Sequence, residues 1–121
     1  MLDHIGIQVA DVPASTAFYE KVLAPLGYEK IMDFEVAVGF GRNGRPQFWI
    51  GAKTTESEGR ETHIAFEAVD RDKVREFFDA AVATGAEVLH EPREWPEYHP
   101  GYFGAFVRDL DGNNVEAVCH T

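Results

Sequence analysis

Disulfides are the first thing this sequence cannot build, because Cys119 is its only cysteine. An internal cross-link framework is excluded, and a reducing cytoplasm is the expected compartment. No run of about 18 apolar residues occurs, so no membrane-spanning helix is expected. The opening Met1-Leu2-Asp3-His4 lacks the basic start and apolar stretch of a signal peptide. Basic charge is also scarce. Eleven Lys and Arg stand against 21 Asp and Glu, for a formal net charge of −10. Such a surface repels phosphate backbones, which argues against nucleic acid as a partner. What is present is ordinary globular material, 45% hydrophobic and 26% charged, and 121 residues suffice for one domain with a real core.

An internal repeat organises that material. Shifted by 59 positions, His4-Ile5-Gly6-Ile7 falls on His63-Ile64-Ala65-Phe66, Asp11 on Asp70 and Phe18 on Phe77. Each half reads as a strand, a helix and three further strands. The first strands are 4–10 and 63–69, each ending at an Asp. In the first helix Val12-Pro13 sets the start, and Phe18, Val22 and Leu26 recur at spacing four. In the second, Val74, Phe77, Phe78, Ala81 and Val82 form the apolar stripe behind Asp70 as N-cap. Gly27 and Gly85 supply the stops.

The remaining strands are expected at 28–32, 35–41 and 46–52, then at 86–90, 102–108 and 114–119. The turn Asp109-Leu110-Asp111-Gly112-Asn113 closes the final hairpin. Residues 53–62 read as a linker, so unit one spans 1–55 and unit two 63–121 within a single domain. The stretch 91–101, with three prolines, reads as a loop. The fold class is therefore α+β: two βαβββ units forming a cupped half-barrel sheet with the helices on its outer face.

Strand alternation then sorts the side chains. Ile5, Ile7, Val9, Ile64 and Phe66 should pack under the helices. His4, Gly6 and Gln8, and likewise His63, Ala65 and Glu67, should face the cup, together with Asn114, Glu116 and Val118 of the last strand. Two histidines and a carboxylate on one concave surface suit a divalent metal such as Fe(II), Mn, Ni, Co or Zn, with positions left open for substrate. Either histidine alone would read as a structural residue, but the repeat puts both at one structural position.

The stretches LDHIGIQVADVPASTAFYEKVLAPLGYE, HIAFEAVD and GAFVRDLDGNNVEAV together resemble the vicinal oxygen chelate superfamily, which includes glyoxalase I, extradiol dioxygenases and the bleomycin- and fosfomycin-resistance proteins. The last stretch is similar to that family's D-P-D-G-N-x-x-E ending, with Leu110 in place of the usual Pro. The resemblance implies that His4, His63 and Glu116 are metal ligands. Glyoxalase-like members carry a fourth ligand, a Glu, where this chain has Trp49 or, with a gap, Phe48. Neither can bind a metal, so the ligand set looks more like the three-ligand site of the dioxygenases. The Tyr that those enzymes place before the closing hairpin aligns with Phe106, and His99 lies near their further His.

Tyr98, His99 and Tyr102 are therefore the candidate acid/base groups, with a loop lid held by aromatic packing as the alternative. Gln8, Trp49, Glu67 and Phe106 are the candidate substrate contacts. Cys119 should pack under the helices and share no site with His120, since neighbours on a strand face opposite ways. The function expected is a cytoplasmic, metal-dependent enzyme of the glyoxalase/dioxygenase type acting on a small oxygen-chelating substrate, dioxygenase-like, as a homodimer. The alternative is a resistance-type protein that sequesters a small molecule without metal chemistry.

Overall fold

The computed structural model describes residues 1–121. Unit one comprises β1 (Ile5–Val9), α1 (Val12–Leu23), a 3₁₀ turn (Ala24–Leu26), β2 (Glu29–Asp33), β3 (Ala37–Arg42) and β4 (Arg45–Ala52). Unit two comprises β5 (His63–Glu67), α2 (Arg71–Ala83), β6 (Val88–Glu94), β7 (Phe103–Arg108) and β8 (Asn114–Cys119). The sheet orders are β1-β4-β3-β2 and β5-β8-β7-β6, one topology used twice, with the first and last strands of each unit parallel. The α+β fold of two βαβββ units is as expected, and neither sheet closes into a barrel.

Local chemistry sets the helix ends. Asp11 and Asp70 sit in extended conformation, and their carboxylates accept from the backbone N–H of Ala14 and Lys73, satisfying donors that a helix start leaves free. Gly27 takes a left-handed conformation (φ 83°) to end the 3₁₀ turn. Both helices pack on their sheets and against each other, and one apolar core runs through both units. Phe66 of β5 meets Phe48 of β4 and Tyr28 edge-on, at 5.2 and 5.6 Å between ring centroids.

A polar staple joins the same two units. Tyr19 of α1 is fully buried, and its hydroxyl donates to Asp109 Oδ2 at 2.5 Å. Asp109 also accepts from the backbone N–H groups of Asp111 and Asn113 and from Asn113 Nδ2. Asp111 accepts from the Ala10 N–H. The two aspartates of the closing turn are thus occupied in holding unit two to unit one.

Three expectations need correction. The strand expected at 86–90 runs to Glu94, through Pro92. β6 is an edge strand that pairs only with β7, and its register shifts between His90 and Arg93, so a residue without an N–H is tolerated there. The loop therefore begins at Trp95. The stripe on α2 is narrower than read, because Val74, Phe77 and Ala81 are buried whereas Val82, in the last turn, is 47% exposed. Ile5, expected under the helix, is 39% exposed at the start of edge strand β1. Cys119 is buried in the core as expected.

Candidate metal centre

The repeat predicts that β1 and β5 present equivalent faces, and they do: Ile7, Val9, Ile64 and Phe66 are buried, while Gly6, Gln8, His63, Ala65 and Glu67 are exposed. On β8 the alternation holds but the burial differs. Glu116 lies on the face expected to be open, yet it is only 1% exposed. Phe106, its direct cross-strand partner on β7, and Tyr102 close over it.

His63 opens β5 and reaches Glu116 across the parallel β5–β8 pair, with Nε2 at 3.1 Å from Oε1. Its other nitrogen, Nδ1, stands 3.1 Å from the Asn114 carbonyl oxygen. A carbonyl can only accept, so Nδ1 donates to it and Nε2 is the nitrogen that faces the carboxylate. The ring of Phe106 lies nearly parallel to that of His63, with centroids 6.0 Å apart and planes 21° apart, which fixes the imidazole plane.

The other carboxylate oxygen, Oε2, accepts the Tyr102 hydroxyl. Gly104 leaves the room for this pair: a Cβ there would stand 3.0 Å from Glu116 Oε2 and 3.3 Å from Tyr102 Cε1. Burial pushes the Glu116 carboxyl above its ordinary range, against the lowering effects of the Tyr102 hydroxyl and His63. Burial and the Glu116 carboxylate push the Tyr102 phenol up as well, so the hydroxyl stays a donor near neutral pH.

These residues fit a divalent metal. Two donors each about 2.1 Å from an ion and at a right angle are about 3.0 Å apart, and the His63–Glu116 pair stands at 3.1 Å. The His63 tautomer is set by a backbone carbonyl and the carboxylate is held by a hydroxyl, the outer contacts that metal ligands commonly have. The pair would supply two ligands, however. No group of three His, Cys, Asp or Glu side chains within the chain is arranged to hold an ion. His4, just before β1, is exposed, and its Nδ1 lies 2.7 Å from Asp3.

The other expected site residues fall in three places. Trp49 pairs with Gly6 in β1, as Glu116 pairs with Ala65 in β5, so Trp49 and not Phe48 occupies the equivalent of Glu116 in unit one. Phe48 is in the core. The Trp49 indole lies over Gly39 and nearly parallel to Phe34, with centroids 6.2 Å apart. Gln8 donates to Thr54, and the Glu67 carbonyl accepts from Arg42. In the loop, Tyr98 stacks on Trp95 and meets Tyr102 edge-on, while His99 is bonded to Pro100 and His120. Of the three candidate acid/base groups, only Tyr102 touches the His63–Glu116 pair. Sequence reasoning missed His120, the Asn114 carbonyl and Gly104. Alternation from Glu116 puts His120 on the same face and was the one available signal.

The family description "Glyoxalase/Bleomycin resistance protein/Dioxygenase superfamily" matches residues 1–117. The chain belongs to this superfamily. The Bacillus subtilis (strain 168) protein YqjT is 25% identical over 97% of both chains. A glyoxalase/bleomycin resistance protein from Albidiferax ferrireducens T118 superposes with a TM-score of 0.83 at 23% identity, covering 95% of each chain. The genomically encoded fosfomycin resistance protein FosX from Listeria monocytogenes superposes at 0.72 and 23% identity, covering all of this chain and 93% of the other. At such identities the structural likeness establishes the superfamily fold, and superfamily members with lyase and resistance names share it.

Proposed function

We propose that the chain is a divalent-metal-dependent enzyme of the glyoxalase/dioxygenase type, acting on a small oxygen-chelating substrate. The observation that carries this reading is the buried carboxylate of Glu116, faced at 3.1 Å by His63 Nε2 while the other ring nitrogen is tied to a backbone carbonyl. His63 and Glu116 are two ligands and His4 is the third. Because His4 stands apart from the other two within one chain, the reading takes it from a second copy, in a homodimer. Trp49 at the position equivalent to Glu116 supplies no fourth ligand, which favours the open, dioxygenase-like site over a glyoxalase I site.

When bound, the ion supplies Lewis acidity to chelated substrate oxygens. The chain's own groups do the rest. The Asn114 carbonyl and Phe106 hold the His63 ring in one orientation, and Tyr102 holds one oxygen of Glu116 so that the other is presented. Trp49, backed by Gly39 and flanked by Phe34, offers a flat apolar wall in unit one. That wall also supports a second reading, a cytoplasmic protein that sequesters a planar small molecule without metal chemistry.

Metal analysis of untagged protein purified without chelators, followed by oxygen uptake with catechols and hemithioacetal isomerisation, tests the proposal. Stoichiometric metal with turnover in either assay is expected. Metal-free protein that does not take up Fe(II), Mn(II) or Zn(II) overturns it and leaves the sequestering reading.

A further inference from the structure

A pair of imidazoles lies beside the His63–Glu116 centre, on the other side of the Tyr102 ring. His99, in the loop before β7, and His120, just after β8, stand with Nε2 and Nδ1 3.0 Å apart. Their rings are stacked, with centroids 5.1 Å apart and planes at 24°. The other nitrogen of His99, Nδ1, lies 2.7 Å from the Pro100 carbonyl oxygen, so it carries a proton and Nε2 is the bare acceptor. His120 Nδ1 then donates to it, and His120 Nε2 has no hydrogen-bond partner within the chain. Both residues are exposed.

This pair is held in place from several sides. The Tyr102 ring meets both imidazoles edge-on at 5.3 Å. Gly101, at φ 88°, lets the loop backbone lie against the chain end: a Cβ there would stand 2.9 Å from the His120 carbonyl oxygen. The Thr121 carbonyl oxygen accepts from Arg71 Nε at 3.2 Å. Two nitrogens at this separation match two neighbouring ligands of one ion, and the carbonyl-bound Nδ1–H of His99 is the outer contact that a ligating histidine commonly has. Two exposed histidines that met by chance would lack that contact and the fitted backbone beneath it.

We infer that His99 and His120 form a second metal-binding site, for a late divalent transition ion such as Ni(II), Zn(II) or Cu(II). Imidazole donors select these ions over Mg(II) and Ca(II), and the net charge of −10 favours any cation. Binding moves the His120 proton from Nδ1, now a ligand, to Nε2. Neutral imidazoles therefore take up the ion with no net release of protons. The remaining coordination positions are open to water.

Calorimetric titration of the full, untagged chain with Ni(II) tests the inference. Wild type is expected to bind two ions per chain, one of them lost in His120→Ala and retained in His63→Ala. Gly101→Ala keeps both imidazoles but forces the loop off the chain end, and should weaken that ion's binding on the order of tenfold. A tenfold excess of Mg(II) should not displace it. If only the His63–Glu116 reading is wrong, wild type binds one Ni(II), and His120→Ala removes it. The inference is overturned if His120→Ala binds Ni(II) with wild-type stoichiometry and affinity.

Discussion

Replacing Tyr19 by Phe removes a single hydroxyl from the junction between the two units. That hydroxyl is fully buried and donates to the carboxylate of Asp109, itself buried. A hydrogen bond to a charged, desolvated group contributes roughly 1.5–3 kcal/mol. The lower end applies, because Asp109 Oδ2 keeps its bond from Asn113 Nδ2 and is not orphaned. The expected loss is about 2 kcal/mol, which for a domain of this size lowers Tm by roughly 8 °C.

Asp109→Ala should cost more, about 4 kcal/mol, since it leaves the Tyr19 hydroxyl and the Asn113 N–H and Nδ2 groups without their acceptor. Urea unfolding of the two single variants and the double variant measures the coupling directly. Once Asp109 is absent, Tyr19→Phe should cost nothing, or should even stabilise by removing a buried orphan. If Tyr19→Phe costs the same in both backgrounds, the staple is not a coupled unit and the reasoning fails.

Glu116→Gln should raise the Tm of the metal-free protein near neutral pH. Burial lifts the Glu116 carboxyl above its ordinary value of 4.5, so the folded state holds that proton more tightly than the unfolded chain. Its stabilising contribution is complete below the ordinary value and is lost as pH rises through the raised one. Melting curves in chelator between about pH 5 and pH 8 should therefore show wild type falling behind Glu116→Gln as pH rises; parallel curves would contradict the assignment. Gly41→Ala should cost at least about 3 kcal/mol, because its Cβ would lie 1.7 Å from the Arg45 carbonyl oxygen at the bulge between β3 and β4. Gly44→Ala, at φ 72° with nothing within 4 Å, should cost only about 1 kcal/mol. Thermal denaturation separates the two glycines.

Much of this architecture was legible because the repeat and strand alternation are both strongly patterned. His4 and His63 could be matched through flanking residues, and period-two alternation put His63 and Glu116 on one face before any contact was known. Burial on that face was not legible. It depends on Phe106 and on the fold of the 95–102 loop, where Trp95 donates to the Gly104 carbonyl and Tyr102 turns back to Glu116. Loop conformations of that kind leave no periodic signal. Pro92 read as a loop because a proline excludes a central strand, but sequence does not say which strand is at an edge. The choice between Phe48 and Trp49 needed the β1–β4 register, which a single gap in the repeat obscures.

The proposed function requires that His63 and Glu116 bind a metal ion between them. Mn(II), which carboxylates bind readily and a bare pair of imidazoles does not favour, distinguishes that centre from the His99–His120 pair. Equilibrium dialysis of wild type, His63→Ala, Glu116→Gln and His120→Ala against Mn(II) should give one ion per chain for wild type and His120→Ala, and none for the other two. Undiminished Mn(II) binding by Glu116→Gln would contradict the account.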